Sequence, residues 1–191
     1  MDMKSRKAEL RDQARKTISA LPDDYLSESD DRLFHLTTSL GEFIRARNIM
    51  LYYSVKREPG TQRIAEAAFM AGKTVAFPYC FRSGIMQART VRSLSELQPA
   101  MLGIPAPPEN SDAIEPEEFD LIVVPALIYD RDGYRIGNGG GYYDRYLSGI
   151  RAFTVGLCRE RLITDRLPRE PHDISVDCVV TEEGIRNHNV G

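Results

Sequence analysis

The residues best suited to binding or catalysis lie at positions 129 to 146, which read YDRDGYRIGNGGGYYDRY. Successive glycine N–H groups before a helix can bind an anion, because only glycine lets a phosphate approach the main chain so closely. Arg135 and Arg145 could balance phosphate charge, and Asp144 could hold a hydrated Mg²⁺ that bridges the phosphates. A plain tight turn is the alternative, since GNGGG lacks Rossmann or Walker spacing. Its position between a strong strand and a helix favours the phosphate site.

The elements that must position this stretch alternate between helix and strand patterns. Helical periodicity covers residues 4–20 and 61–72, a second helix is predicted to be capped by Ser27 or Ser29, and short helices are predicted near 93–98 and from 142. The buried face predicted for the second helix comprises Leu33, Leu36, Leu40, Phe43 and Ile44. Apolar runs predict strands at 49–55, 73–80, 85–91, 120–130, 153–158 and, as the last strand, 174–181. The alternation predicts an α/β fold with a mostly parallel sheet, helices on both faces and 120–130 at its centre.

Composition narrows the class of protein. A chain of 191 residues predicts one domain over 1–191, and a net charge of -3 argues against a general nucleic-acid binder. The N-terminus has no apolar run of a secretory signal, and no segment reaches the length of a membrane span. Three cysteines without a C-x-x-C pair, Cys80, Cys158 and Cys178, predict reduced, buried thiols in a cytoplasmic protein.

The stretch PALIYDRDGYRIGNGGGYYDRYL resembles the signature of the 5-formyltetrahydrofolate cyclo-ligase family. In that signature a proline after an apolar strand precedes D-x-x-G-x-R-x-G-x-G-x-G-[YF]-Y-D-R. The matching residues are Pro125, Asp130, Gly133, Arg135, Gly137, Gly139, Gly141, Tyr142, Tyr143, Asp144 and Arg145. KAELR near the start, the block 49–78 and HDISVDCVVTEEG near the end extend the resemblance over nearly the whole chain.

The resemblance implies a three-layer α/β/α sandwich of the ribose-5-phosphate isomerase and CoA-transferase type. It also implies ATP- and Mg²⁺-dependent closure of 5-formyltetrahydrofolate to 5,10-methenyltetrahydrofolate, with release of ADP and phosphate. The implied catalytic residues are Arg135, Tyr143 and Arg145, and the implied magnesium ligands are Asp144 and Asp177. ATP is assigned to Lys7, Arg11, Arg135, Gly137, Gly139, Gly140, Gly141, Tyr142 and Tyr143, and the folate to Val55, Glu58, Asn138, Gly139, Gly140 and Tyr142.

Each of these residues also has a plainer interpretation. Lys7 and Arg11, one helical turn apart, would otherwise form a solvated face, and Asp177 would be a charge at a strand end. A tyrosine pair at the start of a helix, such as Tyr142 and Tyr143, is at least as often simple packing as a pair that stacks on the pterin or adenine. His172 and Asp173 match a less defined part of the family pattern. For His172, a surface-turn position is as good an interpretation as a role in the site.

Two positions depart from the family pattern. Asn138 stands at a loop position that is often basic or variable in relatives, which is a minor difference, and Gly60 is the departure that matters more. The residue before Thr61 is usually acidic in the family and is implicated in holding the folate, whereas this chain has Gly60. Glu58 keeps the other acidic position of that block and is the alternative carboxylate. Two alternatives therefore stay open: a divergent paralogue that acts on another formamide or a carboxyl substrate, and a non-catalytic nucleotide-binding regulator. We expect a reduced folate and ATP as partners, and a monomer or weak dimer.

Overall fold

The predicted alternation of helices and strands holds only in part: in the described residues three α-helices precede the first strand, and eight strands lie between the fourth and fifth α-helices. The computed structural model describes residues 2–81 and 84–188. Its α-helices are α1 Met3–Ala20, α2 Asp23–Ser39, α3 Gly41–Arg45, α4 Gln62–Met70 and α5 Tyr142–Tyr146. The strands are β1 Asn48–Met50, β2 Thr74–Cys80, β3 Met86–Val91, β4 Gln98–Pro99, β5 Pro105–Ala106, β6 Ala113–Ile114, β7 Leu121–Val124, β8 Ile128–Asp130, β9 Arg135–Ile136, β10 Phe153–Leu157, β11 Ile163–Thr164, β12 Cys178–Thr181 and β13 Gly184–Asn187.

The main sheet has eight strands in the order β13-β12-β10-β7-β1-β2-β3-β6. The five strands from β12 to β2 are parallel, and the antiparallel strands β13, β3 and β6 lie at the edges. In β7 all four residues, Leu121–Val124, are buried, as expected of a strand covered on both faces. The predicted mostly parallel sheet and its central strand are both confirmed.

Two apolar clusters cover the two faces of this sheet. Because side chains alternate along a strand, Ile49 and Met50 enter different clusters, as do Leu121 and Ile122. One cluster includes residues of α2, α3 and α4, and the other includes residues of α1, α5 and the small sheet β11-β8-β9. The protein is therefore the expected three-layer α/β/α sandwich, with α1 and α5 on the same side.

Several element boundaries differ from the predictions. Helix α2 begins after Pro22, so neither Ser27 nor Ser29 caps it; Ser29 is buried within the helix and its hydroxyl donates to the Leu26 carbonyl. Ile44 is exposed, because Leu40 interrupts the helix and α3 starts a new one with a different rotation.

The strand predictions were wrong in three places. The run 120–130 is two strands, β7 and β8, because Pro125 has no N–H for the sheet and the chain leaves for a second sheet there. The run 49–55 pairs as a strand only up to Met50, and 174–181 only from Cys178. A hairpin strand, β13, follows β12, so β12 is not the last strand.

Two of the cysteines, Cys158 and Cys178, are buried, and Cys80 is half-buried. Burial raises the pKa of the Cys158 and Cys178 thiols to about 12, so both stay protonated and neither is a nucleophile. Among the described helices, no segment combines the length and hydropathy that a membrane span needs. One domain over residues 1–191 stays a prediction.

Candidate functional site

The carboxyl ends of β1 and β7 meet where the direction of winding changes. From β1 the chain passes through α4 to β2 on one side, whereas β7 pairs with the other side of β1. Ligands of α/β proteins bind in the crevice outside such a switch point. A cavity of about 20 Å³ lies there, lined by residues that include Ile18 of α1, Glu58 and Leu127. The segments that follow β1 and β7 are therefore where a site is expected.

The glycine-rich loop, residues Gly137–Gly141, leads from β9 to α5 beside this edge. Gly139 and Gly141 have positive φ angles of 97° and 65°, in the left-handed region that favours glycine. A Cβ on Gly139 would also lie 3.3 Å from Cζ of Arg11, so the main chain passes close under that guanidinium. Glycine is thus required here both for the turn and for the close approach of α1.

Helix α1 lies along the glycine-rich loop. Leu10, Ala14 and Ile18 pack against the core and fix the rotation of the helix. Arg11 Nε donates to the Gly137 carbonyl at 3.0 Å, and Arg15 Nη2 donates to Asn138 Oδ1 at 3.3 Å. The basic side of α1 therefore faces the loop, so the solvated-face interpretation does not describe Arg11.

Lys7, one turn before Arg11, is buried between two carboxylates. Its Nζ lies 2.6 Å from Asp173 Oδ2 and 2.8 Å from Glu170 Oε2. Burial lowers the pKa of Lys7, but the hydrogen bonds and charges of Asp173 and Glu170 outweigh it and raise the pKa overall. Burial likewise opposes ionisation of Asp173, and the bond from Lys7 lowers its pKa overall. His172 is exposed beside them, 3.8 Å from Glu170.

Arg135 joins the glycine-rich loop to α5 and to the segment before β12. Its Nη2 lies 2.7 Å from Asp144 Oδ1, and its Nη1 donates to the Ile174 carbonyl at 2.6 Å. The Arg135 side chain is 5% exposed and that of Asp144 is 29% exposed. Since Ile174 follows Asp173, one polar network links Lys7 through Arg135 to Asp144.

Tyr142 and Arg145 lie on the other side of the loop. Tyr142 donates its hydroxyl to the Phe81 carbonyl at 3.2 Å, beyond the end of β2. Arg145 donates to the carbonyls of Gly84 and Gly140, both at 2.8 Å, and its guanidinium lies 5.5 Å from the centre of the Tyr142 ring. These two residues line a cleft of about 570 Å³ between β3 and α5.

Tyr143 points its hydroxyl into the interior. The ring packs against the core, and the oxygen is buried with no hydrogen-bond partner among the described residues. Burial raises the pKa of Tyr143 well above its ordinary value, with smaller contributions from Cys80 and Tyr129. A buried hydroxyl without a partner costs about 1–3 kcal/mol.

Asp177 is held by a different set of groups from Asp144. It immediately precedes β12, and its Oδ2 accepts hydrogen bonds from the Thr154 main-chain N–H at 2.8 Å and the Thr154 hydroxyl at 2.7 Å. The Asp177 main-chain N–H donates back to the Thr154 hydroxyl at 2.9 Å. These contacts tie β10 to β12 at their starts, a structural role that the sequence did not indicate.

The loop between β1 and α4 carries the residues assigned to the folate. Glu58 Oε2 accepts from the Val55 main-chain N–H at 3.0 Å, which closes the turn, and burial raises the pKa of Glu58. The side-chain space of Gly60 faces another carboxylate, because a Cβ on Gly60 would lie 3.2 Å from Asp30 Oδ2. Thus α2 supplies a carboxylate beside the position where this chain has a glycine.

Asp30 is fixed by an arginine that sequence reasoning missed. Arg159 is 1% exposed and donates to Asp30 Oδ1 at 2.6 Å, to the Arg57 carbonyl at 2.9 Å and to the Ser29 hydroxyl at 2.9 Å. Burial raises the pKa of Asp30 although Arg159 opposes it. The only signal was a charged residue directly after an apolar strand, in GLCRER, and that pattern does not distinguish a buried arginine from a solvated one.

The structure thus brings Arg11, Asn138, Arg135 and Asp144 together around the glycine-rich loop, whereas Lys7, one turn before Arg11, binds Asp173 and Glu170 instead. Tyr142 and Arg145 lie on its far side, whereas Val55 and Glu58 belong to the β1–α4 loop and Asp177 to the start of β12.

Comparisons with known proteins show the family and the fold. The model of the 5-formyltetrahydrofolate cyclo-ligase family matches residues 3–182. The probable 5-formyltetrahydrofolate cyclo-ligase of Schizosaccharomyces pombe is 31% identical, over 97% of this chain and 100% of the relative, and the cyclo-ligase of Saccharomyces cerevisiae is 28% identical, over 92% and 94%. The NMR structure of Aquifex aeolicus 5,10-methenyltetrahydrofolate synthetase, 29% identical, superposes with a TM-score of 0.87 over 97% of this chain and 94% of that one.

A further solved structure, the 5,10-methenyltetrahydrofolate synthetase of Mycoplasma pneumoniae, shares the fold, with a TM-score of 0.75 at 22% identity over 92% of this chain and 98% of that one. The family match covers nearly the whole sequence, including the glycine-rich loop and the helix that packs on it. The chain belongs to the 5-formyltetrahydrofolate cyclo-ligase family.

Proposed function

We propose that this enzyme uses ATP and Mg²⁺ to close 5-formyltetrahydrofolate to 5,10-methenyltetrahydrofolate, releasing ADP and phosphate. The observation that carries the proposal is the network around the glycine-rich loop in a chain of this family. Arg11 of α1 contacts the loop, and Arg135 of β9 and Asp144 of α5 pair beside it; Lys7, one turn before Arg11, is a further proposed contact with ATP. These are the residue types that a phosphoryl-transfer site needs for positioning and charge balance.

The proposed chemistry needs no protein nucleophile. A formamide oxygen is a poor leaving group, so the oxygen first attacks the γ-phosphorus of ATP and the bond to ADP breaks. The neighbouring folate nitrogen then attacks the formyl carbon and loses its proton, and the carbon–oxygen bond breaks to release phosphate. Both steps depend on holding the reactants in line and on stabilising charge on the phosphoryl oxygens.

The glycine-rich loop and α1 would hold the nucleotide. The main-chain N–H groups of Gly139 to Gly141 would donate to phosphate oxygens, and the Arg11 guanidinium, which already touches this loop, would add positive charge. Tyr143 is also a proposed catalytic residue; its hydroxyl is enclosed against the core in this structure, so it would have to turn toward the loop to donate to the reacting oxygens. Arg145 and the Tyr142 ring would border the substrate from the other side.

Asp144 fits the role of a magnesium ligand. Arg135 occupies its Oδ1, and the side chain remains partly exposed, so the carboxylate can offer an oxygen to a hydrated ion. Asp177 is the second proposed ligand, although Thr154 already donates two hydrogen bonds to its Oδ2. Bound Mg²⁺ would supply neutralisation of phosphate charge. Arg135 would keep the Asp144 carboxylate ionised and oriented.

The proposed folate contacts have less support than the proposed nucleotide contacts. Val55, Glu58, Asn138 and Tyr142 are the proposed contacts, but Glu58 already binds its own loop through the Val55 N–H. Gly60 provides no carboxylate for the N–H groups of a pterin. That observation favours a second candidate: a paralogue that keeps the nucleotide site and acts on another formamide or a carboxyl substrate.

The test is a direct assay with matched variants. The wild-type enzyme with 5-formyltetrahydrofolate, ATP and Mg²⁺ should produce the near-ultraviolet absorbance of the methenyl product. Asp144→Asn should lose turnover by at least about a hundredfold while its Tm changes little, since Asp144 is partly exposed. Asp165→Asn, at an exposed aspartate directly after β11, is the control and should keep wild-type activity.

The outcomes separate the candidates. ATP hydrolysis stimulated by another amide or carboxylate, with no methenyl product, would identify the paralogue. Tight ATP binding without turnover of any tested substrate would identify a regulator. Full activity in Asp144→Asn would remove Asp144 from the magnesium site.

A further inference from the structure

We propose that Arg15 is a phosphate-binding residue, the third of a row on α1 that contacts the polyphosphate of a nucleoside triphosphate over the glycine-rich loop. The inference rests on the proposed function, because it takes ATP as the ligand of that loop. It goes further by assigning a residue that neither the signature nor the charge of the loop indicated.

The spacing of α1 places Arg15 in this row. Lys7, Arg11 and Arg15 are four residues apart, so they lie on one side of the helix. Arg11 reaches Gly137 and Arg15 reaches Asn138, the next residue of the loop. The guanidinium groups of Arg11 and Arg15 therefore contact two successive residues of the loop.

Most positive charges near the loop are already paired among the described residues, so Arg15 is the cation that can most easily turn to a phosphate. The loop sequence GNGGGYY, residues 137 to 143, contains no charged side chain, so its cations must come from other elements. Lys7 is held by Glu170 and Asp173, and the three together have a charge of -1 when all are ionised. Two carboxylates this close weaken the attraction of Lys7 for phosphate.

The other two arginines of the loop region are similarly engaged. Arg135 pairs with Asp144, and Arg145 donates to two main-chain carbonyls. Arg15 has weaker partners: a neutral amide oxygen at 3.3 Å, and Asp12 at 3.3 Å in a pair that is exposed on both sides. Exposed pairs of this kind are worth little. Its guanidinium is therefore the group that can turn toward an incoming polyanion at low cost.

The guanidinium geometry favours a phosphate as the ligand. A planar fork with five N–H donors binds two phosphate oxygens at once, and such charge-assisted bonds are strong. The side chain is half exposed, so it can reorient without disturbing the core. In the bound state Arg15 would exchange its bond to Asn138 for bonds to the phosphate.

The experiment compares two neutral substitutions on adjacent residues of α1. Arg15→Gln and Lys16→Gln both remove one exposed positive charge, but Lys16 lies about 100° around the helix from Arg15. Calorimetry with ATP and with inorganic triphosphate should show binding about tenfold weaker in Arg15→Gln, the loss of one charge-assisted bond. Lys16→Gln should bind both ligands as the wild type does. Unchanged thermal unfolding would show that both variants fold.

A second readout identifies which substrate Arg15 contacts. The KM for ATP should rise in Arg15→Gln while the KM for the folate stays constant. A rise in the folate KM alone would assign Arg15 to the carboxylates of the folate tail and overturn the proposal. Equal ATP affinities in wild type and Arg15→Gln would overturn it while leaving the proposed function intact. Failure of the wild type to bind ATP would instead refute the proposed function, and the assignment of Arg15 with it.

Discussion

Replacing Asp130, the first aspartate of the 129–146 stretch, by alanine should destabilise the protein and disturb the Lys7 network. The side chain is fully buried, and Oδ1 accepts hydrogen bonds from the main-chain N–H groups of Asp132 at 3.0 Å and Tyr134 at 2.9 Å. Oδ2 accepts from the buried Leu167 N–H at 3.0 Å and from Arg169 Nη2 at 2.8 Å. One carboxylate therefore holds together the β8–β9 turn and the start of the segment that carries Glu170 and Asp173.

The loss in free energy of unfolding can be estimated from the N–H donors that Asp130→Ala leaves without an acceptor. The Leu167 N–H would lose its acceptor inside the protein, at a cost of about 1–3 kcal/mol. The N–H groups of Asp132 and Tyr134 are partly buried and would each lose a bond to a charged acceptor, while water can replace part of it. Arg169 keeps its salt bridge to Asp132, so no charge is left unpaired. We expect a total of about 4 kcal/mol, a large part of the 5–15 kcal/mol typical of a domain.

Urea unfolding of Asp130→Ala measures this cost, and Asp132→Ala is the matched control. Asp132 lies two residues away and contacts the same arginine, but its side chain is 59% exposed, so its loss should change stability little. Amide hydrogen exchange should rise in residues 167–173 of the Asp130 variant. A loss of less than about 1 kcal/mol, or an equal loss in Asp132→Ala, would show that Asp130 does not organise these two loops.

Two further predictions concern other parts of the core and the site. Gly156→Ala should cost about 1–3 kcal/mol, because its Cβ would lie 2.5 Å from Cζ of the buried Tyr129; an unchanged Tm would contradict this packing. The stability difference between wild type and Lys7→Met should depend on pH, because pairing lowers the Asp173 pKa from 3.8 and raises the Lys7 pKa from 10.5. The difference should be constant between these values, fall below about pH 3.8 as Asp173 is protonated, and fall above about pH 10.5 as Lys7 loses its proton. Denaturant unfolding across pH measures it, and a difference that changes in the neutral pH range would refute the assignment.

The parts of the fold that were predictable are those with strong local patterns. Leu121–Val124 is apolar at every position, which is what a strand needs when helices cover both faces of the sheet. An amphipathic α1 is predicted by apolar Ala8, Leu10, Ala14, Ile18 and Leu21. Leu10, Ala14 and Ile18 pack against the core and Leu21 is buried, as predicted, whereas Ala8 is exposed. Such patterns depend on burial alone, so one sequence is sufficient to find them.

The parts that were missed depend on side chains that bind main-chain groups. Beyond Met50 the apolar run continues, but the Thr61 hydroxyl donates to the Tyr52 carbonyl at 2.6 Å and accepts from the Ser54 N–H at 3.1 Å. These groups would otherwise pair with a neighbouring strand, so β1 ends early. Hydropathy does not register bonds between residues seven to nine positions apart in a loop.

In the candidate site, too, the sequence indicated what local residues determine and missed what contacts between distant residues determine. The 129–146 stretch indicated a phosphate loop from its own residues, but the partners of Lys7 lie 163 and 166 residues away in sequence. Their charge changes the part that Lys7 can play: it is a cation already paired, which secures α1 to the segment before β12. A phosphate would have to compete with two carboxylates at Lys7 and would meet only weak competition at Arg15, so we expect Arg15 to be the stronger phosphate contact on α1. Lys7→Met would leave Asp173 and Glu170 with a charge of -2 when both are ionised, so its affinity for inorganic triphosphate would report their repulsion as well as the lost cation. Arg15→Gln breaks no buried ion pair, so its loss of affinity measures the direct contact.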